Sequence, residues 1–263
     1  MSAVREVEAV PLWHRDSGGS GEAVLLAHAI GCDHRMWDDL ASSLAPRFRV
    51  VTLDARGHGA SPVPPRPYTL EAMAGDAIAL LDQLGIRKAH WVGLSMGGMV
   101  GQAFALAHGD RLGRMVLANT TSSYGPEGRG TWEARAKLVE EGGLAAIRDA
   151  VAQRYFSDNY RRQRADSVTR FMDRFLQTPV EGYLGCCDAI AALDYTSSLP
   201  RIRARTLVIA GGADVGTPPA MSEVIARAIP GARLQVLPGA AHLSAVEQPR
   251  DFGAVVATFL SQP

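Results

Sequence analysis

Short apolar runs alternate with helix-period stretches along most of the chain. "AVLLAH" (23–28), "FRVVTLDA" (48–55), "AHWVGL" (89–94), "RMVLAN" (114–119) and "RTLVIAGG" (205–212) have the length and apolar continuity of buried strands. Between them, "MWDDLASSLAP" (36–46) reads as a helix stopped by Pro46, and "TLEAMAGDAIALLDQLG" (69–85) carries apolar residues at helical spacing. In the second, Thr69 fits the N-cap, Glu71 the first turn and Gly85 the position just past the end. The rhythm breaks at about residue 120. Residues 120–195 hold no convincing strand and read as charged helices, after which strands and helices alternate again to the end. Alternation of this kind predicts an α/β fold with a mostly parallel sheet covered on both faces. It divides the chain into a core of residues 1–119 and 196–263 and a helical insertion of residues 120–195.

Composition narrows the class of function. The chain has 263 residues, 47% hydrophobic and 21% charged, with 27 basic and 27 acidic side chains. Zero formal charge supplies no field to attract nucleic acid or an anionic membrane. The first residues carry early charges and no signal-like apolar core, and no uncharged run approaches the ~18 residues of a membrane span. Cys32, Cys186 and Cys187 are too few for a disulfide framework, so the expected compartment is the cytoplasm. No His-rich spacing suggests a metal site, and no cofactor motif is read.

Candidate chemistry centres on "GLSMGG" (93–98), which places Ser95 in a G-x-S-x-G pattern between a strand and a helix. A sharp turn there needs small neighbours, exposes the serine hydroxyl, and aims the Met96 amide at developing negative charge. A serine needs a base, and the base an orienting carboxylate, in the chain order Ser, acid, His. His108 lies about thirteen residues along the following helix, roughly 20 Å away at 1.5 Å per residue. That leaves His242, in "LPGAAHLSAVEQP" after the last strand. Asp214, just beyond the strand end in "LVIAGGADVGTPP", is a better acid than Asp188 or Asp194 within the insertion. A second oxyanion donor is expected from the backbone of Ile30, in the loop "HAIGCDHRMW", with His28 bracing that loop.

These pieces, with "LDARGHGAS" and "EGYLGCCDAIAALD", resemble the α/β-hydrolase superfamily over nearly the whole chain. Within it the chain looks most like the 3-oxoadipate enol-lactonases. The resemblance implies an eight-stranded, mostly parallel sheet with residues 120–195 as a cap. It implies a nucleophile at Ser95, an acid at Asp214, a base at His242 and oxyanion amides at Met96 and Ile30. Arg56 and His58 become structural. Two departures stand out: Ala29 occupies a position where glycine is usual, and "GAAH" precedes the histidine.

The implied activity is cofactor-free cleavage of a small-molecule ester or lactone, 3-oxoadipate enol-lactone first. The alternatives are a carboxylesterase or lactonase of other specificity, a carbon–carbon bond hydrolase, and a ligand receptor that binds without turnover. Trp37, Trp132, Tyr155 and Tyr183 are candidates to wall the substrate pocket. An acidic substrate calls for an arginine, and the sequence does not choose among Arg135, Arg154, Arg161 and Arg164. Oligomeric state stays open, a homodimer among the options.

Overall fold

A computed structural model of the chain describes residues 8–262. The first half runs β1 (His14–Asp16), β2 (Ala23–Ala27), α1 (Asp38–Leu44), β3 (Arg49–Leu53), α2 (Leu70–Gln83), β4 (Ala89–Leu94), α3 (Met96–Ala107) and β5 (Leu112–Ala118). Five helices follow: α4 (Gly128–Gly142), α5 (Arg148–Tyr155), α6 (Asp158–Gln163), α7 (Ala165–Phe175) and α8 (Val180–Ala191). The chain then returns to the sheet with β6 (Thr206–Gly211), α9 (Pro219–Ala228), β7 (Arg233–Leu237), α10 (Ser244–Glu247) and α11 (Pro249–Leu260).

The strands form one sheet in the order β1-β3-β2-β4-β5-β6-β7. Only β1 is antiparallel, to β3; every other pairing is parallel. Strands β2, β4 and β6 are buried along their full length, because helices cover both faces. The order steps outward in both directions from the β2–β4 pair, and in such sheets ligands gather beyond the carboxyl ends of the central strands. Helix α2 starts where its cap residue predicts: Thr69 accepts from the Ala72 amide at 3.1 Å, and Gly85 follows with φ +64°.

The sheet has seven strands among the described residues, not the expected eight. Before β1, the Val10 and Trp13 amides bond to side chains, Asp76 Oδ1 and Ser61 Oγ, both at 2.8 Å. Donors spent on side chains cannot build a ladder with a neighbouring strand. Between α4 and α8 the described residues form no strand, in keeping with the helical reading of that stretch. One isolated bridge, Ser123 to Asp194, closes its two ends together. Among the described residues no helix is long and apolar enough to cross a membrane.

Candidate active site

Ser95 stands where β4 ends and α3 begins, with φ +56° and ψ −115°. A non-glycine residue there is strained, and it persists only when its surroundings over-determine it. They do so here. The Ser95 amide donates to the Ala118 carbonyl at 2.9 Å, while its own carbonyl accepts from Thr120 Oγ1 at 2.8 Å and from the Gly98 and Met99 amides. The turn also brings backbones together. A Cβ on Gly97 would sit 2.1 Å from the Ala27 carbonyl oxygen, and one on Gly93 2.1 Å from the Gly97 carbonyl oxygen. No larger residue fits at either position, which accounts for the glycines around the serine.

Asp214 and His242 meet directly, Oδ2 to Nδ1, at 2.9 Å. Both are buried. The bond assigns a proton to Nδ1, so the neutral tautomer compatible with it has its lone pair on Nε2. The carboxylate is held from several sides. Its Oδ2 also accepts from Asn119 Nδ2 at 2.9 Å and Thr217 Oγ1 at 2.8 Å, and its Oδ1 from the Gly216 and Thr217 amides at 2.7 and 3.0 Å. Burial pushes the Asp214 carboxyl up, but the charge His242 carries once protonated in acid, its hydrogen bond, and the hydrogen bonds from Asn119 and Thr217 outweigh it and hold the carboxyl at about 2.

Asn119 is the residue the sequence reading missed. It follows β5 with φ +46°, and joins Asp214 to the histidine loop by donating to the Ala241 carbonyl at 3.2 Å and accepting from Ser244 Oγ at 2.5 Å. Its neighbour Thr120 holds the Ser95 carbonyl. The two residues link all three candidate groups. A polar pair at the carboxyl end of a central strand, "ANT", was the available signal.

The loop after β2 is equally constrained. His28 Nε2 accepts from the Ala55 amide at 2.9 Å, so its Nδ1 donates to the Ala29 carbonyl at 2.8 Å. His58 Nε2 accepts from the Gly31 amide at 2.8 Å. Burial, above all, keeps both imidazoles neutral and lowers His58 to about 3. Behind them Arg56 and Asp76 form a buried bidentate ion pair, 2.6 and 2.7 Å. Within this network the Ile30 and Met96 amides have no acceptor among the described residues. Neither does the Ser95 hydroxyl, so no Ser95–His242 hydrogen bond is formed; bonds of this kind often tighten only when substrate binds.

The helices between β5 and β6 supply the opposite wall. Tyr155 stacks on His242, ring centroids 5.6 Å apart, and its hydroxyl donates to the Ile30 carbonyl. Tyr183 accepts from Arg135 Nε at 2.7 Å. Trp132 lines a cavity of about 470 Å3 between α4 and α5. Trp37 does not belong with them. It is fully buried against Phe252 of α11, ring centroids 6.2 Å apart, because α1 and α11 close over that face of the sheet. The three cysteines are buried and free, and no group of three or more His, Cys, Asp or Glu among the described residues is arranged to hold a metal ion.

Residues 22–249 match the family model for the alpha/beta hydrolase fold. The chain is 36% identical over 234 residues to 3-oxoadipate enol-lactonase 2 of Acinetobacter baylyi, covering 89% of this chain and 86% of that protein. Among solved structures it is similar to the enol-lactonase of Burkholderia xenovorans LB400, with TM-score 0.92, 37% identity, and 95% and 96% of the two chains covered. It is also similar to a thermophilic esterase of Thermogutta terrifontis with malate bound, with TM-score 0.90, 34% identity, and 95% and 92% covered. The chain belongs to the α/β-hydrolase family and is a hydrolase of ester or lactone bonds.

Proposed function

We propose that this α/β hydrolase is a serine enzyme that opens 3-oxoadipate enol-lactone to 3-oxoadipate through an acyl-enzyme, with Ser95 as nucleophile, His242 as base and Asp214 as its orienting acid. The observation that carries the mechanism is the buried Asp214–His242 bond. It selects the tautomer whose lone pair is on Nε2, on the loop tied through Asn119 and Thr120 to the strained serine turn. Ser95 Oγ attacks the lactone carbonyl carbon as His242 Nε2 takes the hydroxyl proton. The oxyanion forms against the two amides without internal acceptors, Met96 and Ile30. His242 then protonates the departing enol oxygen. Water, deprotonated by His242, releases the acid, and the enol tautomerises to the ketone.

The same reading makes residues 120–195 a cap whose α4–α8 helices wall the substrate space. The choice of substrate rests on the enol-lactonase relatives. The malate-bound esterase is a further sign that small acidic molecules suit this architecture. A carboxylesterase of other specificity is the second reading, favoured by that same esterase.

Hydrolysis of 3-oxoadipate enol-lactone and of a short p-nitrophenyl ester, each with and without Ser95→Ala, tests the proposal. We expect fast lactone turnover, slower ester turnover, and a loss of about 10^4-fold or more in kcat for the variant. Ester turnover without lactone turnover retains the mechanism and rejects the substrate. Undiminished turnover by Ser95→Ala rejects the mechanism.

A further inference from the structure

Among the described residues, three arginines bury a guanidinium nitrogen that has no hydrogen-bond partner: Arg114, Arg135 and Arg161. Arg114 still donates to the Gln262 carbonyl, and Arg161 to Asp158. Arg135 differs. Its Nε donates to the neutral Tyr183 hydroxyl at 2.7 Å, its Nη2 is buried and unpaired, and it has no carboxylate partner among the described residues. The guanidinium carbon lies 5.1 Å from the Trp132 ring centroid and 5.7 Å from that of Tyr183, within reach of cation–π attraction.

A permanently charged fork buried on one edge, with no anion to meet it, is costly unless something supplies one. The unpaired nitrogen, Nη2, belongs to the side of a guanidinium that can take a carboxylate through two parallel hydrogen bonds. Arg135 lines the cavity of about 470 Å3 between α4 and α5, and Arg154 of α5 lines it too, without an ion pair among the described residues. The one acidic liner, Glu127, is exposed and pairs with neither.

The cavity reaches the acid loop of the candidate active site at Gly216. The Arg154 stem packs about 3 Å from where a Cβ on Gly216 would lie, two residues beyond Asp214, and the next residue, Tyr155, stacks on His242. The Tyr183 ring, whose hydroxyl Arg135 bonds, comes within 3.3 Å of a Cβ position on Gly31, beside Ile30. We infer that Arg135 is a specificity-determining residue that holds a free carboxylate of the substrate, so that the site selects esters or lactones bearing one negative charge on the acyl or enol side. This assignment rests on the acyl-transfer reading above for its link to turnover, but the binding it describes is measurable without turnover.

Two measurements test it. In the first, hydrolysis of mono-p-nitrophenyl glutarate is compared with that of p-nitrophenyl valerate, which replaces the distal carboxylate by a methyl group. We expect the wild-type protein to favour the anionic ester in kcat/KM, and Arg135→Gln to lower that preference by roughly 10- to 100-fold, the worth of a charged hydrogen-bond pair. Arg135→Lys should restore part of it. Arg162→Gln, an exposed arginine, should leave the preference unchanged.

In the second, adipate binding to the Ser95→Ala protein is followed by calorimetry, with dimethyl adipate as the neutral control. Adipate should bind at least about tenfold more tightly than the diester, and the added Arg135→Gln change should remove the difference. Should Arg135→Gln fail to fold, Arg135→Lys and the adipate-against-diester comparison in the folded protein decide. Equal loss on both esters, or equal binding of adipate and its diester, overturns the assignment. If Ser95-dependent hydrolysis shows no anion preference, the carboxylate assignment fails while the acyl-transfer mechanism stands. If neither ester is hydrolysed yet adipate binds through Arg135, the mechanism fails while the assignment stands.

Discussion

The candidate site has two walls of different construction. On the sheet side, the polar groups follow the strand ends of β2, β4, β5, β6 and β7, and most are fixed by two or more internal hydrogen bonds. On the helical side, few polar contacts reach across. Tyr155 touches His242 and Ile30, the Leu243 amide reaches the Tyr155 carbonyl at 3.0 Å, and Glu247 holds the Ser157 amide at 2.5 Å. The groups left without internal partners divide the same way. The sheet wall leaves the amides and hydroxyl that an acyl transfer uses, whereas the helical wall leaves the guanidinium that a substrate charge would use. On the proposals above, chemistry belongs to one wall and selection to the other, and substitutions on the two should fail differently.

The largest effect belongs to the acid. Asp214→Asn cannot hold His242 in the tautomer that leaves Nε2 free, and it gives up the carboxylate that stabilises the imidazolium. We expect kcat to fall by about 10^4-fold with KM little changed, on anionic and neutral esters alike. Steady-state kinetics with both esters provide the check, alongside a thermal melt to establish folding. A change in substrate preference would mean that the acid also shapes selection, and the division between the walls would not hold.

Acid should undo the sheet wall first. Folded His58 accepts no proton until about pH 3, and His28 is also lowered, both chiefly by burial. Unfolded, each takes up a proton near pH 6.5. Below that pH the unfolded chain binds more protons than the folded one, so stability falls through His58 as pH drops from 6.5 towards 3, by at most about 1.4 kcal/mol per pH unit, and His28 acts in the same direction. Asp214, lowered to about 2, adds its share only below its unfolded value of 3.8. Urea unfolding at pH 7 and pH 5 measures the slope. His58→Gln should be less stable at pH 7 through loss of the Gly31 amide bond, but should show a flatter pH dependence. An unchanged slope would move the sensitivity elsewhere.

How far each wall is legible in the sequence follows from the same contrast. The sheet wall is written locally. A strand, a turn of glycines and a helix start must lie together in the chain, so Ser95 is visible from its neighbours, and Asp214 and His242 from the strand ends they follow. The helical wall is assembled from residues far apart, and amphipathic spacing marks only which faces are buried. Arg135 meets Tyr183 across 48 positions and Tyr155 meets Ile30 across 125, distances at which no spacing rule operates. Trp37 shows the reverse failure: it lies close in sequence to the loop after β2, yet packing turns its side chain to Phe252. Asn119 lies between the two cases, readable in principle at the end of β5 but lacking a motif to announce it.

The smallest effect is the most informative about the boundary between the walls. Tyr155→Phe keeps the ring that stacks on His242 and removes only the hydroxyl that donates to the Ile30 carbonyl. The loss of one neutral hydrogen bond is worth about 0.5–1.5 kcal/mol, so a 2- to 10-fold fall in kcat is expected if that bond steadies the Ile30 peptide. Because the proposed oxyanion donor is the amide of the same residue, the fall should be equal for anionic and neutral esters, with KM hardly moved. A shift in KM on the anionic ester alone would instead make Tyr155 part of the carboxylate pocket with Arg135. Tyr155 is the residue of the helical wall in contact with both His242 and Ile30, and the measurement decides whether it completes the chemistry or the selection.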